Sequence, residues 1–309
     1  MNDSEIEAIV RKSIDLHLHV GMDILPRQHT VEELFLAERG KIAGVAVKSH
    51  SFPTVPDVMA ARRLARDEMI LIGSLTLNYF TGGFNPSAIY AAAVMSRGYP
   101  VLVWFPTVHA ENHLVRSSSM YEIPPDWVKD PAFTSRYKTE VKAIKVTDWA
   151  GNLIPKAWQV LNMMREMGNC VLATGHLSWE EARKLSLEAL NLGLPVIVTH
   201  PMQRDIAMPV KVQAELAHKG GFIEFCYVMY LDRDHPEDYP PEEMVRQIRQ
   251  IGVDKCILSS DAGQIRNPGP SACLKAFVEL LEPHGITKDE FETMMVRNPR
   301  KILGLRVEG

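Results

Sequence analysis

The chain has 309 residues, 46% hydrophobic and 23% charged, the composition of a soluble globular protein with material for a full core. Its formal net charge of −4, with no basic block, leaves nucleic-acid binding without electrostatic support. No apolar run approaches the ~18 residues of a bilayer span, and the start MNDSEIEAIVRKS lacks a signal-peptide core.

In chain order, short apolar runs alternate with mixed-charge segments of helical character. The runs are IDLHLHV (14–20), IAGVAVKSH (42–50), MILIGSLTLN (69–78), PVLVWFPT (100–107), CVLATGH (170–176), PVIVTH (195–200), GFIEFCYV (221–228) and KCILSSD (255–261). Such runs suit strands buried on both faces. Capping boxes at Thr30–Glu33, Ser178–Glu181 and Thr287–Glu290 open three of the helices. Gly40, Gly98, Gly193 and Gly252 stand just before strands, where helices end. Eight strand–helix units predict a (β/α)8 TIM barrel spanning 1–309 as one domain. VKAIKVTD (141–148) is a ninth strand-like run. Residues 108–140 before it carry SSS, PP and DP breakers and no clear helical pattern. Residues 108–154 therefore read as a long insertion after strand four, an active-site lid. It ends in a hairpin turning at Asp148–Asn152, and a helix over 157–169 follows. The four cysteines (Cys170, Cys226, Cys256, Cys273) have no CxxC spacing, and the first three lie in strand-like runs. They read as buried free thiols of a cytoplasmic protein.

Side chains of a strand alternate faces. Strict alternation puts Asp15, His17 and His19 on one face of the first strand, with Ile14, Leu16 and Leu18 against the helices. Lys48 and His50 share a face of the second strand, while His176, His200 and Asp261 end the fifth, sixth and eighth. A lone histidine at a strand end is more often a hydrogen-bonded loop residue than a ligand. Four histidines and an aspartate at the same end of four strands converge on the functional mouth of a barrel. Imidazole and carboxylate suit zinc, and also Mn2+, Fe2+ or Ni2+. Such an ion makes water acidic enough to act near neutral pH, and Asp261 can carry its proton.

The series His17-x-His19, His176, His200, Asp261 resembles the amidohydrolase superfamily, and VRNPRKILGL (296–305) is similar to the helix that often closes its barrels. VKSH, Pro53-Thr54, LN…GGFNP, ATGHLS and SSDAGQ resemble, more narrowly, an uncharacterised family of predicted TIM-barrel metal-dependent hydrolases. The resemblance implies one or two divalent ions held by His17, His19, His176, His200 and Asp261. With 16 residues before His17, no flanking β-sandwich domain is expected. Binuclear relatives carry a bridging carboxylated lysine or glutamate on strand four, which PVLVWFPT lacks. Lys48 is the candidate carboxylated bridge, or alternatively an unmodified cation for an anionic substrate; Lys145 takes that place only if the ninth run is a barrel strand.

His50, His109, His113 and Arg266 are candidate substrate contacts, with His50 alternatively a ligand or a ligand's partner. Asp15 is expected to orient one of the histidines. The leading activity is hydrolysis of an amide, cyclic amide, lactone or ester bond in a small molecule. The alternatives are a one-metal non-oxidative decarboxylase resembling the aminocarboxymuconate-semialdehyde group, with His200 as acid/base, and a small phosphoester hydrolase. No nucleic-acid or membrane partner is expected; a homo-oligomer is, by analogy with such barrels.

Overall fold

The computed structural model describes residues 1–66, 68–116, 143–231 and 238–306. Among them eight strands form one parallel sheet in sequential order: β1 (Ile14–His19), β2 (Gly44–Lys48), β3 (Ile70–Thr76), β4 (Val101–Trp104), β5 (Cys170–Ala173), β6 (Val196–Val198), β7 (Phe222–Cys226) and β8 (Cys256–Ser259). The sheet closes where Asp261 N–H donates to the His17 carbonyl and His19 N–H to the Ala262 carbonyl, each at 2.8 Å. The expected (β/α)8 barrel is thus the observed fold, with each apolar run contributing its strand.

Alternation sorts the side chains. Ala46, Ile72, Leu102, Trp104, Val171, Ala173, Ile197, Phe222 and Ile257 fill the barrel, and Ile302 and Leu303 of the C-terminal segment join them. The intervening residues Val45, Val47, Leu71, Val101, Val103, Leu172, Val196, Val198, Ile223 and Leu258 face the helices.

The first strand departs from strict alternation. Asp15 pairs with Val45 but Leu18 with Val47, so three steps on β1 match two on β2; this is a β-bulge. Ile14 and Leu16 consequently join the interior cluster, whereas Leu18 packs outward. Below the bulge the predicted faces are reversed, and Asp15 does not share a face with His17. Its carboxylate instead takes the His17 backbone N–H at 3.1 Å, the Ser260 N–H at 3.0 Å and the Ser260 hydroxyl.

Helices α1 (Asp3–Lys12), α2 (Val31–Glu38), α3 (Val55–Ala65) and α4 (Pro86–Met95) lie in the first half of the chain. Then come α5 (Glu111–Arg116), α6 (Pro155–Met167), α7 (Trp179–Asn191), α8 (Val210–His218), α9 (Pro241–Ile251), α10 (Pro270–Leu281), α11 (Lys288–Glu292) and α12 (Asn298–Ile302). The boxes at Thr30 and Thr287 form as expected. At Ser178 the hydroxyl caps α7, but the box is incomplete: Glu181 accepts from the Ser178 hydroxyl at 3.4 Å and, through its other oxygen, from the Val146 N–H at 2.9 Å, anchoring the hairpin.

That hairpin turns where expected: Thr147 bridges Leu153, and Asp148 Oδ1 accepts from Ala150 and Asn152 N–H at 2.9 Å each. Helix α5 has no counterpart in the sequence reading, which found no helical pattern before residue 141. Residues 117–142 of the expected lid lie outside the described residues. The 141–148 run adds no barrel strand; Ile144 makes a single bridge to Ala110.

Candidate metal centre

The bulge delivers His17 and His19 to the mouth. Asp261, just beyond β8 with φ +52°, places Oδ1 3.2 Å from His17 Nε2 and 3.0 Å from His19 Nε2. Gly263 (φ +110°) allows this closure, since a Cβ there would collide with the His19 carbonyl. The ring of His200, at φ +26°, stacks 5.7 Å from that of His17, and His176 lies 5.2 Å from His200. His50 lies 4.7 Å from His19 and 6.1 Å from His176. The first-strand pair, both later strand-end histidines and Asp261 therefore share one mouth.

Lys48 ends β2 fully buried, its Nζ 3.0 Å from His17 Nε2 and 4.1 Å above the Trp104 ring. Trp104 occupies the inward end of β4. Lys145 is remote from this cluster in character: half-exposed and ion-paired with Glu111 at 2.5 Å. With eight strands in place without the ninth run, Lys145 is no candidate bridge.

Burial dominates the electrostatics. It pushes His17 down to about 3, and His19, His50, His176 and His200 well below the usual histidine value. Lys48 falls to about 8, with Asp261 and Glu224 opposing the shift. Burial raises Asp261, and holds Asp15 and Glu224 at about 7. Desolvation favours the neutral form of each group, so the imidazoles are unprotonated and able to donate lone pairs.

The donor set fits a divalent ion. His19 Nδ1, His176 Nδ1, His200 Nδ1 and His113 Nε2 are buried without a hydrogen-bond partner, a costly condition for polar atoms unless something else satisfies them. Neutral imidazoles around a carboxylate are what zinc and related ions bind. Ligand atoms of His17, Cys226 and Asp261 lie within 4.8 Å of one another, as do those of His19, Asp23 and His50. Burial raises the Cys226 thiol above its usual value, as it raises Asp261. The Asp23 oxygens already accept from Ile24 N–H, the Ser51 hydroxyl, His50 N–H and Arg27 Nε and Nη2.

The candidate substrate contacts separate. His50 Nδ1 meets the Thr107 hydroxyl at 2.9 Å, and Asn78 Nδ2 donates to that hydroxyl at 2.8 Å. His113, on α5, brings its ring 4.9 Å from His176, and Asn112 beside it donates to the His176 and Asp205 carbonyls at 3.3 and 2.9 Å. His109 packs instead against Tyr79 and Phe80, its Nδ1 accepting the Tyr79 N–H at 3.2 Å. Arg266 is exposed on the loop after β8.

The sequence reading passed over Glu224. Fully buried on β7, its Oε2 lies 3.1 Å from His17 Nδ1 and its Oε1 accepts the Ser259 hydroxyl at 2.9 Å. The signal was present: Glu224 is the one charged residue of FIEFC, in phase with inward Phe222.

Residues 12–224, more than half the chain, match a family described as a family of unknown function, DUF6282. The chain belongs to that family. None of the curated proteins matches its sequence. Among solved structures, this DUF6282 chain is similar to an amidohydrolase from Pseudomonas aeruginosa at 15% identity and TM-score 0.53, covering 97% of this chain and 99% of that one. It is also similar to a probable 2-pyrone-4,6-dicarboxylic acid hydrolase from Acinetobacter baumannii at 12% identity and TM-score 0.58, covering 95% and 100%. An N-acetyl-D-glucosamine-6-phosphate deacetylase from Mycobacterium smegmatis matches at 16% identity and TM-score 0.56, covering 96% of this chain and 77% of its own. Likeness at these identities establishes the barrel fold expected from the amidohydrolase resemblance. Among the described residues no helix is long and apolar enough to cross a membrane.

Proposed function

We propose that this DUF6282 protein is a metal-dependent hydrolase of a small molecule, cleaving an amide, cyclic amide, lactone or ester bond. The observation that carries the reading is the meeting of His17 Nε2 and His19 Nε2 on one oxygen of Asp261, beside His176 and His200 with unpartnered ring nitrogens. His17, His19, His176, His200 and Asp261 would hold the ion, zinc being the first expectation. When bound, it would polarise the scissile carbonyl and make water acidic enough to attack near neutral pH.

The chain's own groups do the rest. Asp261, raised above the usual carboxylate range by burial, takes the proton of the attacking water on Oδ2 and returns it to the leaving group. Lys48, held at the mouth by burial and the Trp104 face, would serve either as a carboxylated metal ligand or as a cation for an anionic group of the substrate. His50 and His113 border the substrate's space, and helix α5, which carries His113, forms part of its cover. The protein is a single-barrel, cytoplasmic homo-oligomer in this reading. The fold neighbour named as a 2-pyrone-4,6-dicarboxylic acid hydrolase makes lactones the first substrates to test.

The test is metal content. Wild-type protein purified with zinc is expected to retain one or two equivalents per chain and His17→Ala to lose them; unchanged binding in that variant would sink the assignment. A second reading, a one-ion decarboxylase with His200 as acid/base, is favoured by the inward position of Trp104 where a bridging carboxylate would stand. One equivalent, with turnover of aromatic carboxylates but not of lactones or cyclic amides, would decide for it.

A further inference from the structure

We infer that Glu224 is a positioning residue of the metal centre: its carboxylate holds the His17 ring as the Nδ1–H tautomer, leaving the Nε2 lone pair for the ion. The inference rests on the metal-centre reading above.

The geometry assigns the proton from both ends of the ring. A neutral imidazole carries one N–H, and the partner of each nitrogen decides which. On one side His17 Nδ1 faces Glu224 Oε2 at 3.1 Å. A carboxylate only accepts, so the N–H points there. On the other side His17 Nε2 lies 3.0 Å from Lys48 Nζ. Lys48 Nζ carries hydrogens whether ammonium or amine and can donate, so this contact suits an accepting Nε2. Two independent contacts thus agree on one tautomer. Asp261 Oδ1 faces the same nitrogen at 3.2 Å, and two electron-rich atoms converging on one point fit a cation shared between them.

Glu224 is itself fixed. Its Oε1 accepts from the Ser259 hydroxyl at 2.9 Å, and Ser259 lies two residues before Asp261 on β8. One buried carboxylate therefore ties the orientation of a β1 ligand to the strand that delivers the β8 ligand. Ligand histidines commonly donate their second N–H to such a partner, and its loss typically weakens metal affinity 10- to 100-fold. A leucine at 224 fills similar volume but leaves Nδ1–H without an acceptor. A glutamine can still accept from His17 through Oε1 while donating to Ser259, whose hydroxyl can accept.

The experiment has two readouts. In metal-free protein labelled with 15N-histidine, nitrogen chemical shifts at pH 8 are expected to report His17 as the Nδ1–H tautomer in the wild type and in Glu224→Gln. A shift toward Nε2–H is expected in Glu224→Leu. Zinc affinity, measured against a competing chelator, is expected to fall roughly 10- to 100-fold in Glu224→Leu and to recover largely in Glu224→Gln. Should the leucine protein not fold, the tautomer of His17 in the wild type, which needs no variant, decides alone. A wild-type His17 protonated on Nε2 would overturn the inference by itself, whatever the metal content. So would wild-type zinc affinity in folded Glu224→Leu. Unchanged zinc binding in His17→Ala overturns the metal-centre reading instead, a separate outcome.

Discussion

Replacing Asp15 tests whether the β1 bulge is held by a side chain. A bulge strands a backbone N–H that the neighbouring strand cannot reach; here the Asp15 carboxylate accepts that of His17 at 3.1 Å, together with the Ser260 N–H at 3.0 Å. Asp15→Ala leaves both N–H groups in a fully buried place with no acceptor. At about 1–3 kcal/mol for each unsatisfied group, the loss is about 2–6 kcal/mol. That is a large part of the roughly 5–15 kcal/mol by which domains are stable. Asp15→Asn keeps an oxygen for both N–H groups, and its amide can donate to the Ser260 hydroxyl. It is expected within about 1 kcal/mol of wild type. Urea unfolding of the metal-free proteins at pH 8, followed by circular dichroism, separates the two through their midpoints at constant slope. If alanine and asparagine variants unfold at the same midpoint, the side chain does not hold the bulge.

Two further predictions concern the mouth. Asp261→Asn removes the proton carrier while retaining an oxygen toward His17 and His19; kcat on any substrate identified is expected to fall about 10²- to 10⁴-fold, and activity within tenfold of wild type would remove Asp261 from that role. Acid should unfold the metal-free protein early. Seven histidines are held below their ordinary value by burial, His17 to about 3, His109 and His113 to about 4, and His19, His50, His176 and His200 well below. Below pH 6.5 the unfolded chain binds protons at these sites that the native state refuses, so stability falls with pH. Asp15, Glu224 and Asp261, raised in the fold, work the other way but are fewer. Melting temperature is therefore expected to drop from pH 7 to pH 5, and a flat profile would contradict the buried neutral histidines.

The barrel was legible because strands buried on both faces must be apolar throughout, and eight such runs separated by helical segments leave few other arrangements. The ligand candidates were legible for a related reason: His17, His19, His176, His200 and Asp261 interrupt apolar runs at one end. Where the reading went astray, a non-local contact overruled a local pattern. Glu181 satisfies the capping pattern but is drawn to the Val146 N–H across the insertion. Helix α5 is only six residues long, too short for periodicity to reveal and stabilised by packing on the mouth.

The sequence by itself determined the strand count, their order and the residue types at the mouth, since period and polarity are properties of neighbours along the chain. Only the tertiary structure decided which side chain stands behind which. The bulge turns Asp15 away from the face strict alternation assigns it, and barrel closure sets Glu224, 207 residues away, against His17. An extra residue in one strand leaves no mark on composition or spacing; its energy lies in hydrogen bonds to β8, which exist only once the sheet has closed.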